Sequence, residues 1–103
     1  MSFELERDGN LVLRIKESAL DRALAPGFRT FAAGALVEDD QRVVIDCSAV
    51  EFIDSSGVGA LLHVNNLLPE EKRPVILRGI TPAVLTVLEL VRVHRFFEIE
   101  PLT

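Results

Sequence analysis

The residues in this sequence whose types could carry chemistry are Asp54, Ser55, Ser56 and Gly57. Asp54 is a typical helix N-cap, because its carboxylate can accept hydrogen bonds from first-turn N–H groups, which would place both serines in that turn. A hydroxyl there lies at the positive end of the helix dipole, where a phosphate group is favoured. Gly57 and Gly59 would let another backbone approach closely. The pattern predicts either a phosphorylation site at Ser55 or a capping sequence with no further role.

The serines and the two histidines do not form a recognisable catalytic arrangement. The G-x-S-x-G elbow needs a glycine two residues before its serine, but Ile53 and Asp54 stand two residues before the serines here. His63 is expected on a helix surface and His94 at a helix end, so neither is predicted to be a general base. No lysine follows the glycines as a phosphate-binding loop requires. We predict that the protein is not an enzyme.

Asp46 and Cys47 follow an apolar run and are the next candidates for chemistry. A phospho-accepting aspartate would need further carboxylates for Mg²⁺ at the end of the first strand, and the sequence offers none there. Asp46 is therefore predicted to organise a loop. Cys47 is predicted to be a small core residue, since no cation nearby in sequence would lower its pKa. Ligands at a recognisable spacing are missing, so we predict neither a metal nor a cofactor.

Composition limits the class of partner. The 103 residues fit one domain, and 49% hydrophobic residues suffice for one modest core. Eleven Lys and Arg against 16 Asp and Glu give a net charge of −5, which disfavours nucleic acid and anionic membranes. No apolar run approaches the roughly 18 to 20 residues that span a bilayer. A single cysteine and no leader-like start predict a cytoplasmic protein whose partner is another protein.

Apolar periodicity predicts the elements of the first half. Asp8-Gly9, between residues 3–5 and an alternating apolar stretch at 11–15, is typical of a β-hairpin. Pro26 fits the first turn of a helix that the acidic residues 38–40 should end. The β-branched run 43–45 predicts a central strand that is covered on both faces. The buried face of the helix is predicted to consist of Phe28, Phe31, Ala32, Ala35 and Leu36.

The second half is predicted to contain two helices and two strands. One helix begins near Ser55 and is stopped by Pro69, and residues 75–77 form a buried strand. Thr81 is expected to supply an N-cap oxygen to a third helix, with Pro82 in its first turn. Residues 96–99 are predicted to form the last strand. The inner face of the third helix is predicted to consist of Val84, Val87, Leu88 and Val91.

The predicted order of elements indicates an α/β fold with a mixed, mostly parallel sheet. Strands that alternate with helices require right-handed crossovers, which pack the helices against the sheet. Ligands and partners of such sheets meet the loops at the carboxyl ends of the strands. Residues 46–57 form that loop for the central strand, so the Asp-Ser-Ser-Gly motif is expected at this edge.

The stretch "VVIDCSAVEFIDSSGVGALL" resembles the signature of STAS domains, in particular of bacterial anti-sigma factor antagonists. Residues 43–45 resemble the central strand of the family, Asp46 its loop aspartate, and 54–57 its phosphorylation motif. "SALD" at 18–21 resembles the G-x-L-D that follows the second strand. The resemblance covers nearly the whole chain, as "ILRGITPAVLTVLELVRVHRFFEI" is similar to the third helix and final strand.

The resemblance implies a phosphorylation-controlled binding protein. Ser55 would be phosphorylated by an anti-sigma factor that is itself a serine kinase, and a serine phosphatase would restore it. The unphosphorylated form would bind the anti-sigma factor and release the sigma factor. Asp21 and Asp54 match positions on the docking surface, and Ser56 and Gly57 are expected to take part in partner binding.

Three features depart from the pattern of the family. Ser18 stands where the family usually has glycine, Arg92 stands where a glycine commonly ends the third helix, and the family's last helix is expected to be missing before Thr103. An alternative is a STAS scaffold subunit of a lipid-transport or stress-signalling complex, in which Ser55 is never modified. A third possibility is an enzyme or a small-ligand sensor.

Overall fold

A computed structural model describes residues 1–37 and 40–102 of the chain. In this part of the chain there are seven strands and three α-helices, together with two short 3-10 helices. The strands are Phe3–Arg7 (β1), Leu11–Ile15 (β2), Ala19–Leu20 (β3), Val43–Asp46 (β4), Phe52–Ile53 (β5), Ile76–Ile80 (β6) and Glu98–Pro101 (β7). The α-helices are Ala25–Ala35 (α1), Ser55–Leu67 (α2) and Pro82–Leu90 (α3), and the 3-10 helices are Glu70–Lys72 and His94–Phe96.

Five strands form the main sheet in the order β1-β2-β4-β6-β7. The β1–β2 pair is antiparallel and every other pair is parallel. The predicted central strand is confirmed, because β4 lies in the middle of the sheet and Val43, Val44 and Ile45 are buried. The predicted fold class is confirmed as well, with a mixed, mostly parallel sheet.

All three helices contribute to one apolar core on one face of the sheet. Side chains of alternating strand residues point to opposite faces. Leu13, Ile45 and Leu77 are buried in the same cluster as Phe28 of α1 and Leu61 of α2, whereas Val12, Val44 and Ile76 form a separate cluster. The helices therefore cover one face, and the second cluster belongs to the other face.

The second face, here called the helix-free face, carries a row of alternating charges across all five strands. Register pairs Glu4 with Arg14, Arg14 with Asp46, Asp46 with Arg78, and Arg78 with Glu100. Ion pairs of 3.2 to 3.4 Å join Arg14 to Glu4 and Asp46, and Arg78 to Glu100. The aliphatic stems of such side chains can cover apolar surface, which accounts for the burial of the neighbouring Val12 and Val44.

Most predicted elements of the first half are present. The hairpin turns at Gly9, whose φ of 96° lies in the left-handed region that favours glycine. Helix α1 buries Phe28, Ala32 and Ala35, as its periodicity predicts. Three acidic residues were expected to end α1, and two of them, residues 38 and 39, lie outside the described residues. The third, Asp40, is buried and its carboxylate accepts a hydrogen bond from Arg7 Nε at 3.1 Å.

Three predictions about the last elements are wrong. Thr81 precedes α3, but its hydroxyl donates to the Val50 carbonyl oxygen at 2.9 Å and does not cap the helix. Val91 is 52% exposed and not on the inner face. The helix ends at Leu90, so Val91 is its C-cap and lies after its last turn. Phe96 belongs to a 3-10 helix, so the final strand begins at Glu98.

The backbone at the end of α3 shows why glycine is common at position 92 in the family that the sequence resembles. Arg92 has a φ of 61°, and it is the one non-glycine residue with a positive φ among residues 1–37 and 40–102. The Val93 N–H donates to the Leu88 carbonyl and the Arg92 N–H to the Glu89 carbonyl, which is the Schellman arrangement that glycine usually completes. Ser18, in contrast, has a negative φ, so its side chain imposes no left-handed strain on the backbone.

Candidate functional site

A second, two-stranded sheet brings the loop of residues 46–57 against the segment after β2. β3 and β5 pair in parallel, with Ala19 opposite Phe52 and Leu20 opposite Ile53. The Ser18 carbonyl accepts hydrogen bonds from the Glu51 and Phe52 N–H groups at 2.7 and 3.1 Å. The sequence analysis missed both strands, because two residues are too few to show an alternating pattern. Residues 18–22 and 51–57 are here called the Ser55 corner.

Asp54 is the N-cap of α2, as predicted, and it also fixes the neighbouring loop. Its Oδ1 accepts the Gly57 N–H at 3.0 Å, and its Oδ2 accepts the Arg22 N–H at 3.0 Å. The hydrogen bond from Gly57, followed by that from Arg22, outweighs the effect of burial and lowers the pKa of Asp54. The carboxylate is therefore ionised at neutral pH and joins the first turn of α2 to the β3–α1 loop.

Gly57 is buried where the α2 backbone meets the β3 backbone. A Cβ at this position would overlap the Leu20 carbonyl oxygen and lie 2.7 Å from Ile53 Cγ1. The predicted close backbone approach is confirmed for Gly57. For Gly59 it is wrong, because the nearest atom to a Cβ there is the tip of the Arg29 side chain at 3.1 Å. Partner binding by Gly57 stays a prediction, and its burial gives it a packing role.

Ser55 is exposed in the first turn of α2, and Ser56 beside it is half-buried. Both line an open cleft of about 360 Å³ at the carboxyl-end edge of the fold. An enzyme that approaches from solvent can reach the Ser55 hydroxyl, which the predicted phosphorylation requires. The cleft is lined by Asp21, Arg22, Ala23, Phe52, Asp54, Ser55 and Ser56.

Asp21 lies in the same cleft and shapes the entry to α1. Its Oδ1 accepts the N–H groups of Ala23 and Leu24, both at 3.1 Å. Its main-chain carbonyl accepts the Ala25 N–H at 2.8 Å. Asp21 and Asp54 thus line the same cleft as Ser55, one on the loop before α1 and one at the cap of α2. The structure brings together all the residues that the sequence analysis assigned to the site.

Two arginines beside the serines were missed by the sequence analysis. Arg22 lines the cleft of Ser55, and it lines a second cleft of about 290 Å³ together with Arg29 and Ser56. Both arginines come from a segment far from the motif in sequence, so no local pattern around the serines could indicate them. The motif contains no cation, but the fold supplies two.

Asp46 and Cys47 have the structural roles predicted for them. Asp46 Oδ1 accepts the Ser48 N–H at 3.0 Å and its hydroxyl at 2.7 Å, while Oδ2 accepts from Arg14 Nε at 3.2 Å. Burial alone would raise the pKa of Asp46, but the hydrogen bonds from Ser48 and Arg14 outweigh it and lower the pKa. Burial raises the pKa of Cys47 to about 12, which makes it a poor nucleophile.

Other parts of the described chain offer few alternatives to this site. Among residues 1–37 and 40–102, no group of three or more His, Cys, Asp or Glu side chains could hold a metal ion. No helix within the same ranges is both long and apolar enough to cross a bilayer. A mainly apolar cleft of about 200 Å³ lies between the ends of α1 and α2, where Leu36, Leu67 and Leu68 line it, and it contains none of the predicted site residues.

Comparison with known proteins identifies the fold and its relatives. A family model described as STAS domain matches residues 4–102. No curated protein sequence matches the chain significantly. An anti-sigma factor antagonist from Mycobacterium paratuberculosis is 28% identical, with a TM-score of 0.81 over 96% of this chain and 84% of that one.

More distant structures share the fold. The Bacillus cell fate determinant SpoIIAA in its phosphorylated form is 22% identical, with a TM-score of 0.67 over 94% of this chain and 89% of that one. A sulfate transporter family protein from Wolinella succinogenes is 13% identical, with a TM-score of 0.73 over 95% of this chain and 82% of that one. At these identities the likeness concerns the fold alone.

Proposed function

The chain belongs to the STAS domain family, and we propose that it is an anti-sigma factor antagonist that phosphorylation of Ser55 switches off. In this proposal the unphosphorylated protein binds an anti-sigma factor that is also a serine kinase, and thereby frees a sigma factor in the bacterial cytoplasm. A serine phosphatase restores the binding form. The protein is the substrate of both enzymes and has no catalytic role of its own.

The observation that carries the proposal is the exposure of Ser55 on a rigid corner. Ser55 is exposed to solvent, while the backbone beside it is held by the Asp54 cap and by the β3–β5 pair. A kinase can therefore reach the oxygen without unfolding the turn. Support also comes from the 28% identical antagonist, which covers nearly the same length.

The charges of the corner explain how one phosphate would act as a switch. A phosphoserine carries about −1.5 to −2 charges at neutral pH. At Ser55 this charge would lie in the cleft that also contains the carboxylates of Asp21 and Asp54. A partner surface that accommodates two carboxylates meets a much more negative surface after phosphorylation. Misplaced charge in an interface costs several kcal/mol, so the complex should dissociate while the domain stays folded.

The proposal is tested by incubating the protein with ATP and candidate anti-sigma factor kinases, followed by fragment mass spectrometry. We expect one phosphate on Ser55, which is lost in Ser55→Ala. The matched control is Ser56→Ala, which removes the half-buried neighbouring hydroxyl and should leave the modification in place. Phosphate on Ser56 alone, or on neither serine with any candidate, would contradict the proposal.

Binding to the anti-sigma factor supplies the second part of the test. We expect Ser55→Ala to bind as the native chain does, and Ser55→Asp to bind at least about tenfold more weakly, or roughly 1.4 kcal/mol. Isothermal titration calorimetry with the same anti-sigma factor measures both. Equal affinities for the Ala and Asp variants would show that charge at Ser55 does not control the complex.

A second candidate function is a STAS scaffold subunit that stays bound to its partner and is never modified. The observation that favours it is the likeness of the fold to the Wolinella sulfate transporter family protein. This candidate predicts that Ser55 carries no phosphate and that Ser55→Asp leaves the affinity for the partner unchanged. The two measurements above therefore distinguish the two functions.

A further inference from the structure

Arg22 at the Ser55 corner and Arg29 of α1 beside it have side chains without an ion-pair partner among the described residues. Arg7, Arg14, Arg42 and Arg78 each form an ion pair with an acidic side chain. Within residues 1–37 and 40–102, the guanidinium groups of Arg22 and Arg29 have neither a hydrogen bond nor an ion pair. Arg92 and Arg95 also have no ion pair among the described residues, but both precede β7, whereas Arg22 and Arg29 line the clefts of the two serines.

The position of Arg22 is fixed relative to Ser55 by the cap itself. The Arg22 N–H donates to Oδ2 of Asp54, the residue before Ser55, and Arg22 lines the cleft of Ser55 and Ser56. Arg29 reaches α2 from α1 about one turn after Ser56, since its terminal nitrogen would lie 3.1 Å from a Cβ on Gly59, and it lines a cleft together with Ser56. Arg22 therefore lies beside the first turn of α2, and the guanidinium group of Arg29 lies beside the start of the second.

The N–H groups of that turn are partly occupied already. The Asp54 carboxylate accepts the Gly57 N–H, and a second contact from the Ser56 N–H also lowers its pKa. A phosphate on Ser55 would thus compete with a carboxylate for backbone donors, and it would be repelled by Asp54 and Asp21. Free guanidinium groups offer additional donors, and they bind phosphate oxygens in bidentate geometry.

We propose that Arg22 and Arg29 bind the phosphoryl group of phosphorylated Ser55, with Arg22 as the principal ligand. The inference rests on the proposed function, since it concerns the modified state of the same serine. Arg22 lines the clefts of both serines, whereas Arg29 lines only the one that contains Ser56. Phosphorylation then changes the docking surface twice, because it adds a dianion and also engages a cation that the unmodified protein leaves free.

The test uses protein in which phosphoserine is incorporated at position 55 during synthesis, so that no kinase is required. Phosphorus NMR over a pH series measures the second pKa of the phosphate, which is about 6 for free phosphoserine. The titratable and charged groups that face it are Asp21 and Arg22 of the loop, Arg29 of α1 and Asp54 of the cap. A bound cation lowers this pKa, because it favours the dianion.

We expect Arg22→Ala to raise the second pKa of the phosphate by about half a unit or more, and Arg29→Ala to raise it by less. Arg22→Lys should keep most of the effect, because it retains the charge. The matched control is Arg95→Ala, which removes an exposed arginine before β7, at the opposite edge of the parallel strands. Unchanged melting temperatures of the unphosphorylated variants verify that each one folds.

A second pKa that is the same in the native, Arg22→Ala and Arg95→Ala proteins would overturn the inference. It would leave the phosphate with backbone donors and solvent alone. The result is independent of the proposed function, because the phosphate is built in. If no kinase modifies Ser55 but Arg22→Ala shifts the pKa, the proposed function fails and the arginine site stands. If a kinase phosphorylates Ser55 but Arg22→Ala does not shift the second pKa of the phosphate, the arginine site fails and the proposed function stands.

Discussion

The Ser55 corner and the helix-free face each contain an ionised aspartate where a strand ends, but the hydrogen bonds to the two aspartates differ. Asp54 is held by the backbone N–H groups of Gly57 and Arg22, whereas Asp46 is held by Ser48 and by the side chain of Arg14. Because backbone N–H groups bind the carboxylate at the corner, the side chains of Arg22 and the neighbouring Arg29 are not needed to neutralise it. On the face, each charged side chain of the row has an opposite charge beside it in register.

The difference indicates that the two regions serve different purposes. Charges on the helix-free face neutralise one another and cover Val12 and Val44, which leaves little net charge for a partner. The corner joins two backbone segments tightly, and Ser55 and Arg22 remain exposed at its surface. A region that is rigid in its backbone and open in its side chains suits recognition by a kinase and a binding partner.

The largest expected effect comes from breaking the backbone contact of the corner. Gly57→Ala places a methyl group against the Leu20 carbonyl oxygen, and neither backbone segment can move without disturbing the β3–β5 pair. We expect a loss of about 3 kcal/mol in the free energy of unfolding, at the upper end of the usual cost of overpacking. Urea unfolding measures it.

Gly59→Ala is the matched control in the same helix. Its methyl group meets only the flexible tip of Arg29, and alanine favours a helix by up to about 1 kcal/mol over glycine. We expect this variant to be as stable as the native chain or more stable. A loss for Gly59→Ala equal to that for Gly57→Ala would mean that helix packing in general, and not the Leu20 contact, limits the corner.

The next effect concerns the carboxylate of Asp54. Asp54→Ala removes the acceptor of two backbone N–H groups, and we expect the melting temperature at pH 7 to fall by about 4 to 8 °C. Asp54→Asn keeps a side-chain oxygen that can cap the helix, so it should lose less. Differential scanning calorimetry should give the highest melting temperature for the native chain, a lower one for Asp54→Asn and the lowest for Asp54→Ala.

The pH dependence of this effect has a definite sign. The folded state lowers the pKa of Asp54, so the stabilisation by the charged cap is complete above the unfolded pKa of about 3.9 and is lost as the pH falls through the lower folded value. Between pH 6 and pH 3 the melting temperature of Asp54→Asn should therefore fall less than that of the native chain. Parallel curves would show that the charge of Asp54 does not contribute.

The sequence was sufficient to predict the main sheet, the three helices and the position of Ser55 at the start of α2, because these depend on local patterns. Val43–Asp46, Pro26 and the Asp54 cap carry strong signals over a few residues. The β3–β5 pair and the two arginines could not be predicted in the same way, because they depend on which distant segments meet. The prediction that Thr81 caps α3 was wrong for a related reason. Its hydroxyl could cap the helix, but it donates to the Val50 carbonyl of a distant loop instead.

The smallest expected effect is on the helix-free face, at the pair of Arg78 and Glu100. The charged groups are 3.3 Å apart, and both side chains are 45% exposed, so water and salt screen their attraction. A double-mutant cycle with Arg78→Ala and Glu100→Ala should give a coupling below about 1 kcal/mol, which disappears in 1 M NaCl. Arg78→Met should be more stable than Arg78→Ala, because its side chain still covers apolar surface. A larger, salt-resistant coupling would show that the face depends on its charges as the corner depends on its cap.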